Sequence, residues 1–150
     1  MTYLRVRDSW WYLAIVMDRF SRRVLAWSLT RQRTAVVTSA VLAQALRRRR
    51  PAGTVIFHSD RGSEYMSSVF TSYVAAAGLL QSTNARGPGD NAHAESFFHS
   101  LKAELTRGIV FTDADALRCG VATYIRYYNN RRLHSALGYS TPIAFERQTA

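Results

Sequence analysis

From Trp11 to Met17 the chain carries no charged side chain and no Gly, Pro, Asn or Asp. Such a run is far short of the roughly 20 apolar residues that cross a bilayer. Its length and its aromatic and branched content suit a strand covered on both faces. Short extended segments flank it, Tyr3–Val6 before and Arg23–Leu29 after the turn-like Asp18–Ser21, so a meander of three antiparallel strands is expected. At Thr34 the period changes. Val36, Val37, Ala40, Val41 and Leu46 recur at helical spacing up to Arg47–Arg50, and Pro51 and Gly53 end the helix. A strand over Thr54–Phe57 leads to His58-Ser59-Asp60. A helix follows from Ser67 to Ala77, then a fifth strand at Leu79–Thr83. After the loop Arg86-Gly87-Pro88-Gly89 a long helix is expected from Asp90 to Thr106, closed by Gly108.

Thr112 and Asp115 suggest a capping pattern for one more long helix, which buries Leu117, Val121, Tyr124, Ile125 and Tyr128. Beyond Arg131 the pattern is irregular until Pro142 opens a last short helix. The sum is an α/β chain: a five-stranded mixed sheet flanked by helices, one domain over residues 1–150.

Composition narrows the function. Twenty basic residues stand against ten acidic ones, a net charge of +10. Nucleic acid is the commonest polyanion to suit such a surface. Lys102 is the only lysine, and arginine, the remainder, forks onto phosphate. One cysteine, Cys119, excludes an internal disulfide and a multi-cysteine zinc site. Without a leader-like N-terminus or a membrane-length run, a cytoplasmic, nucleoid-associated protein with no membrane partner is expected.

Two acids are placed for chemistry. Asp60 follows a strand end, where open α/β sheets form their crevice. Asp60-Arg61-Gly62 is equally a common turn sequence. Glu95 lies on the long helix with Asn91, Phe98, His99 and Lys102 on its face, at i−4, i+3, i+4 and i+7. A solvated face with a weak Glu95–His99 pair accounts for the same pattern. Carboxylates from a strand end and a helix can hold one or two Mg²⁺ ions, completed by phosphate oxygens and water. Arg47–Arg50 reads either as a phosphate-binding ridge or as a solvated helix C-terminus.

At this point longer motifs become recognisable. His58-Ser59-Asp60-Arg61-Gly62-Ser63-Glu64-Tyr65 resembles the second-aspartate motif of insertion-sequence transposases of the retroviral-integrase superfamily. Asp90-Asn91-Ala92-His93-Ala94-Glu95-Ser96-Phe97-Phe98, running on to Leu101-Lys102, resembles their glutamate helix. The segment Tyr128 to Tyr139, ending at Thr141-Pro142, resembles their closing signature, and Tyr12 to Arg23 their second strand and turn.

The resemblance implies a ribonuclease-H-like fold and a three-carboxylate site using Mg²⁺ or Mn²⁺, with Asp60 and Glu95 as the second and third acids. It also implies DNA contacts from Lys102, His99, Arg61, Arg131 and Arg132, with Asn91 and His58 in support. The implied partners are DNA, both element ends and target, and further copies of the chain assembled on it.

Two departures accompany the match. The family's first acid precedes a Thr-Tyr pair by two residues, and here that position falls just before Met1. The expectation is therefore an N-terminally truncated core that binds DNA with little strand-transfer activity, or a catalytically dead remnant that regulates the full-length enzyme by co-assembly. The loop before Asp90 is also a residue short, leaving 34 residues between Asp60 and Glu95.

Overall fold

The computed structural model describes residues 1–83 and 91–149. The expected loop at 86–89 and the helix start at Asp90 lie outside the described residues. Five strands form: β1 (Thr2–Val6), β2 (Ser9–Met17), β3 (Val24–Thr30), β4 (Val55–Ser59) and β5 (Leu79–Thr83). β1, β2 and β3 pair antiparallel in that order, and β4 and β5 pair in parallel.

The apolar run behaves as its composition requires. Along β2, Leu13 and Ile15 pack into one core cluster, while Ala14 and Val16 pack into another on the opposite face. Alternation along an extended chain sends neighbours to opposite sides, so both faces need cover. On one side the cover is α1 (Ala35–Arg49), whose Val41 and Ala45 meet Ala14, Leu25 and Ala26. On the other it is α4 (Ala92–Leu101) and α5 (Ala114–Asn130), whose Phe97, Leu101, Leu117, Val121, Tyr124, Ile125 and Tyr128 meet Leu4, Leu13 and Leu29. A third cluster fills the space between α1, β5 and α3 (Ser68–Ala76), around Leu42, Phe70, Val74 and Leu79.

Local chemistry sets most boundaries. The Thr34 hydroxyl accepts the Val37 N–H and caps α1. α1 ends as expected just before Pro51, with Arg50 as its C-cap, whose left-handed backbone (φ 45°) returns its N–H to the Leu46 carbonyl at 2.7 Å. The expected Thr112–Asp115 cap is displaced by one residue. Asp113 is the N-cap of α5, and its Oδ1 accepts the Ala116 N–H at 2.8 Å.

Two further features depart from expectation, while the irregular tail and the short helix opened by Pro142 follow it. A single extra turn, α2 (Ser63–Met66), precedes α3. The long helix loses its regular pitch after Leu101 and passes into a π-helical segment, Lys102–Thr106. In the tail a 3₁₀ turn, Ser135–Leu137, leads to α6 (Pro142–Gln148), with Pro142 in its first turn and Thr141 as its cap. Among the described residues no helix is long and apolar enough to cross a membrane.

Candidate active site

Asp60 stands one residue beyond β4. Its Oδ1 accepts the Gly62 N–H at 2.9 Å, the turn chemistry open to an Asp-x-Gly sequence. The turn aims the chain into α2, which returns Glu64 to the same place. A Cβ on Gly62 would lie 2.9 Å from both Asp60 Oδ1 and the Glu64 carboxyl. A larger residue there would have to displace one or both carboxylates from these positions.

Glu64 is 4% exposed. A buried carboxylate needs a partner, and Arg33 supplies it, its Nε donating to Glu64 Oε2 at 2.9 Å. That hydrogen bond raises the Arg33 pKa further. The Met1 amino group is pushed down by burial, an effect opposed by the charges of Asp60 and Glu64. Burial pushes the Tyr65 phenol up, and the same two acids add to it. The spacing of four residues between Asp60 and Glu64 was visible in the sequence. The partnership with Arg33 was not, because it joins segments 31 residues apart.

Asp60 lines a cavity of about 660 Å³ whose wall includes His58, Asn91, His93, Ala94 and Phe98. His58 is half-buried, and its Nδ1 lies 3.0 Å from Ser82 Oγ, tying β4 to β5 beside Asp60. Asn91 precedes α4 and its carbonyl accepts the Glu95 N–H at 3.0 Å. Its side chain makes no cap hydrogen bond. Glu95 itself is exposed on α4 and outside this cavity wall. The structure thus brings Asp60, His58 and Asn91 together, with Glu95 on the helix that forms one side. Among the described residues no three His, Cys, Asp or Glu side chains converge as a metal site.

The expected DNA-facing residues fall into two groups. Arg61, His99 and Arg131 are exposed. Lys102 is half-buried, its Nζ 4.4 Å from the centre of the Tyr3 ring. Arg132 is half-buried, donating to Ser100 Oγ at 3.2 Å and Glu104 Oε1 at 2.9 Å. Of the Arg47–Arg50 run, two members have structural partners. Arg48 donates to the Leu25 carbonyl at 2.5 Å, and Arg49 pairs with Asp18 and Glu146. Asp18 is held in the turn expected at Asp18–Ser21 by the Phe20 and Ser21 N–H groups.

Known proteins place these observations. Models described as "Integrase core domain" match residues 1–88 and 80–142. The transposase InsF for insertion sequence IS3fB of Escherichia coli is 41% identical over 150 residues, covering 99% of this chain and 52% of that protein. The transposase for insertion sequence element IS904 of Lactococcus lactis is 37% identical, covering 98% and 59%. The chain therefore spans about half the length of the curated relatives it matches. Among solved structures, the HTLV-2 integrase catalytic core domain in complex with magnesium superposes with a TM-score of 0.75 at 16% identity, covering 96% of this chain and 90% of that one. The catalytic core domain of BIV integrase gives 0.70 at 17%, covering 99% and 92%. The fold is accordingly the ribonuclease-H-like fold of integrase catalytic cores, and the chain belongs to the integrase core domain family.

Proposed function

We propose that residues 1–150 form one catalytic core domain of an insertion-sequence transposase, which joins element ends to target DNA by phosphodiester strand transfer. The observation that carries this reading is the position of Asp60 at the carboxyl end of β4. There it shares a cavity wall with Asn91, just ahead of the glutamate-bearing α4, and with Ala94 on it. The names of the similar transposases support DNA as substrate. Dimeric and trimeric forms of the structurally similar integrase support a homo-oligomer. The cytoplasm, at the nucleoid, is where such a reaction would run.

Asp60 and Glu95 are hard oxygen donors, the ligand type Mg²⁺ or Mn²⁺ prefers. With two acids only, the remaining ligands would be phosphate oxygens and water. A bound ion would polarise the phosphate and ease deprotonation of the attacking hydroxyl. The chain's own residues do the positioning. The Gly62 N–H holds one oxygen of Asp60, and the His58–Ser82 pair holds the strand that carries it. Arg61, His99, Lys102, Arg131 and Arg132 would contact DNA phosphates, and Asn91 would support the site at the start of α4.

The family's pattern has its first acid two residues before Thr2-Tyr3. Losing one member of an interdependent site can cost nearly as much as losing all of it. The 150-residue chain, assayed with labelled DNA ends, a plasmid target and Mg²⁺ or Mn²⁺, is expected to bind DNA and join little of it. Adding one aspartate ahead of Met1 should raise joining. Asp60→Asn or Glu95→Gln in that longer chain should then abolish it. Robust joining that survives Asp60→Asn would overturn the assignment.

A further inference from the structure

Between α4, the end of α5 and the segment after it lies a second, smaller cavity of about 280 Å³, and its described lining is basic and polar. It is lined by Arg22, His93, Ser96, Tyr128, Arg132 and His134, with the short stretch 133–136 closing it. Among the described residues none of its lining is acidic. Glu104, the carboxylate paired with Arg132, is not part of the wall.

Three nitrogens at this place are buried and lack a hydrogen-bond partner among the described residues: Arg22 Nε, Arg132 Nε and His134 Nε2. Buried polar groups are nearly always satisfied, so three orphans at one cavity ask for an acceptor to enter it. Like charges crowd there as well. Burial lowers the Arg22 pKa, an effect that Tyr128 opposes and Arg19 slightly reinforces; burial lowers that of His134, and Arg132 and Arg22 add to the effect. Arg22 also holds a left-handed backbone, φ 63°, a conformation uncommon for a long side chain and concentrated at functional positions.

We propose that this cavity binds a phosphate group of the DNA backbone, with Arg22 as its principal ligand and Arg132, His134 and Ser96 completing it. Arg132 already has Glu104 as its partner, whereas Arg22 pairs with no acid among the described residues, so water would satisfy the nitrogens but only an anion would also answer the Arg22 charge. The position favours a nucleic-acid phosphate over a free one. His93 lines both this cavity and the one that holds Asp60, and Ser96 directly follows Glu95 on α4. A backbone phosphate seated here would anchor the strand beside the candidate carboxylates. This step rests on the DNA-acting reading above.

The experiment uses the 150-residue chain, following the histidine ring resonances by NMR during titration with a short duplex and, separately, with inorganic phosphate. DNA affinity is measured in parallel across salt concentrations. Arg22→Asn is the first variant, because asparagine tolerates the left-handed backbone. Arg22→Lys, which keeps the charge, is the second. The duplex should move the His134 resonances in the parent chain and not in Arg22→Asn. The salt slope should fall by about 0.9 in Arg22→Asn and return in Arg22→Lys. A His134 response to inorganic phosphate but not to DNA would make this a free-anion site and overturn the backbone assignment. DNA binding with an unmoved His134 and an unchanged slope would overturn the cavity while leaving the transposase reading intact. No DNA binding at all, with His134 still answering phosphate, would overturn that reading and leave a phosphate site.

Discussion

Single side chains hold this molecule together at places far apart in sequence, and Glu146 makes the point. Its Oε1 accepts from Ser21 Oγ at 2.6 Å and its Oε2 from Arg23 at 2.7 Å, and Arg49 joins the same carboxylate. Burial alone would raise its pKa. The hydrogen bonds from Arg49, Ser21 and Arg23 outweigh that and hold it at about 2, against an ordinary 4.5. A carboxyl depressed on folding contributes stability above its unfolded pKa and loses it as pH falls through the folded one. The contribution should therefore be complete above about pH 5 and gone near pH 2. Solvent reaches these charges, so the net worth at neutral pH is discounted to about 1–2 kcal/mol. Glu146→Gln should lower Tm at pH 7, and the gap from the parent chain should close as pH falls from 5 to 2. A gap that stayed constant over that range would mean the carboxylate's charge is irrelevant. Nothing in the local sequence announces this cluster. It gathers a turn, a helix end and the last helix, and only packing brings them together.

Elements were legible where their own residues dictate them. β2 could be read because its cover on both faces removes the need for a polar alternation, and α5 because its inward residues recur at helical spacing. The single turn α2 and the π-helical stretch after Leu101 were not, since neither period nor propensity marks them and tertiary contacts decide both. The candidate site divides in the same way. Asp60 was legible as a strand-end acid, whereas the burial of Glu64 depends on Arg33 arriving from another segment. One residue of the closing signature shows how an element's placement can hinge on a side chain. Asn129, 8% exposed near the end of α5, donates its amide to the Val24 carbonyl at 3.0 Å and accepts the Val24 N–H at 2.9 Å. It stands in for a missing strand neighbour at the start of β3, beside the register shift at Val16/Met17. Asn129→Leu keeps the volume but leaves a buried N–H and C=O unpaired, so denaturant unfolding should show a loss of about 1–3 kcal/mol. A change below about 0.5 kcal/mol would mean that water or a relaxed backbone replaces the amide.

For the whole molecule, the last helix acts as a clasp between parts that the sheet alone does not join. α6 carries Glu146 to the β2–β3 turn and to Arg49 near the end of α1, and its Phe145 ring meets Phe20 with centroids 5.1 Å apart. Pro142, almost fully buried, fixes where this helix begins. The third cluster, around Phe70, Val74 and Leu79, draws nothing from α6. Removing residues 142–150 should therefore loosen one end of the molecule and spare the other. Amide hydrogen exchange should speed up across 18–23 and in the last turn of α1, while β4, β5 and α3 keep their protection. The consequence for DNA binding follows from the same geometry. Arg22 sits between Ser21 and Arg23, the two turn residues that Glu146 holds, so the truncated chain should also bind DNA with a smaller salt slope. Faster exchange without a change in slope would separate the clasp from the phosphate site. Unchanged exchange at the turn would mean that Asp18's own hydrogen bonds suffice to hold it.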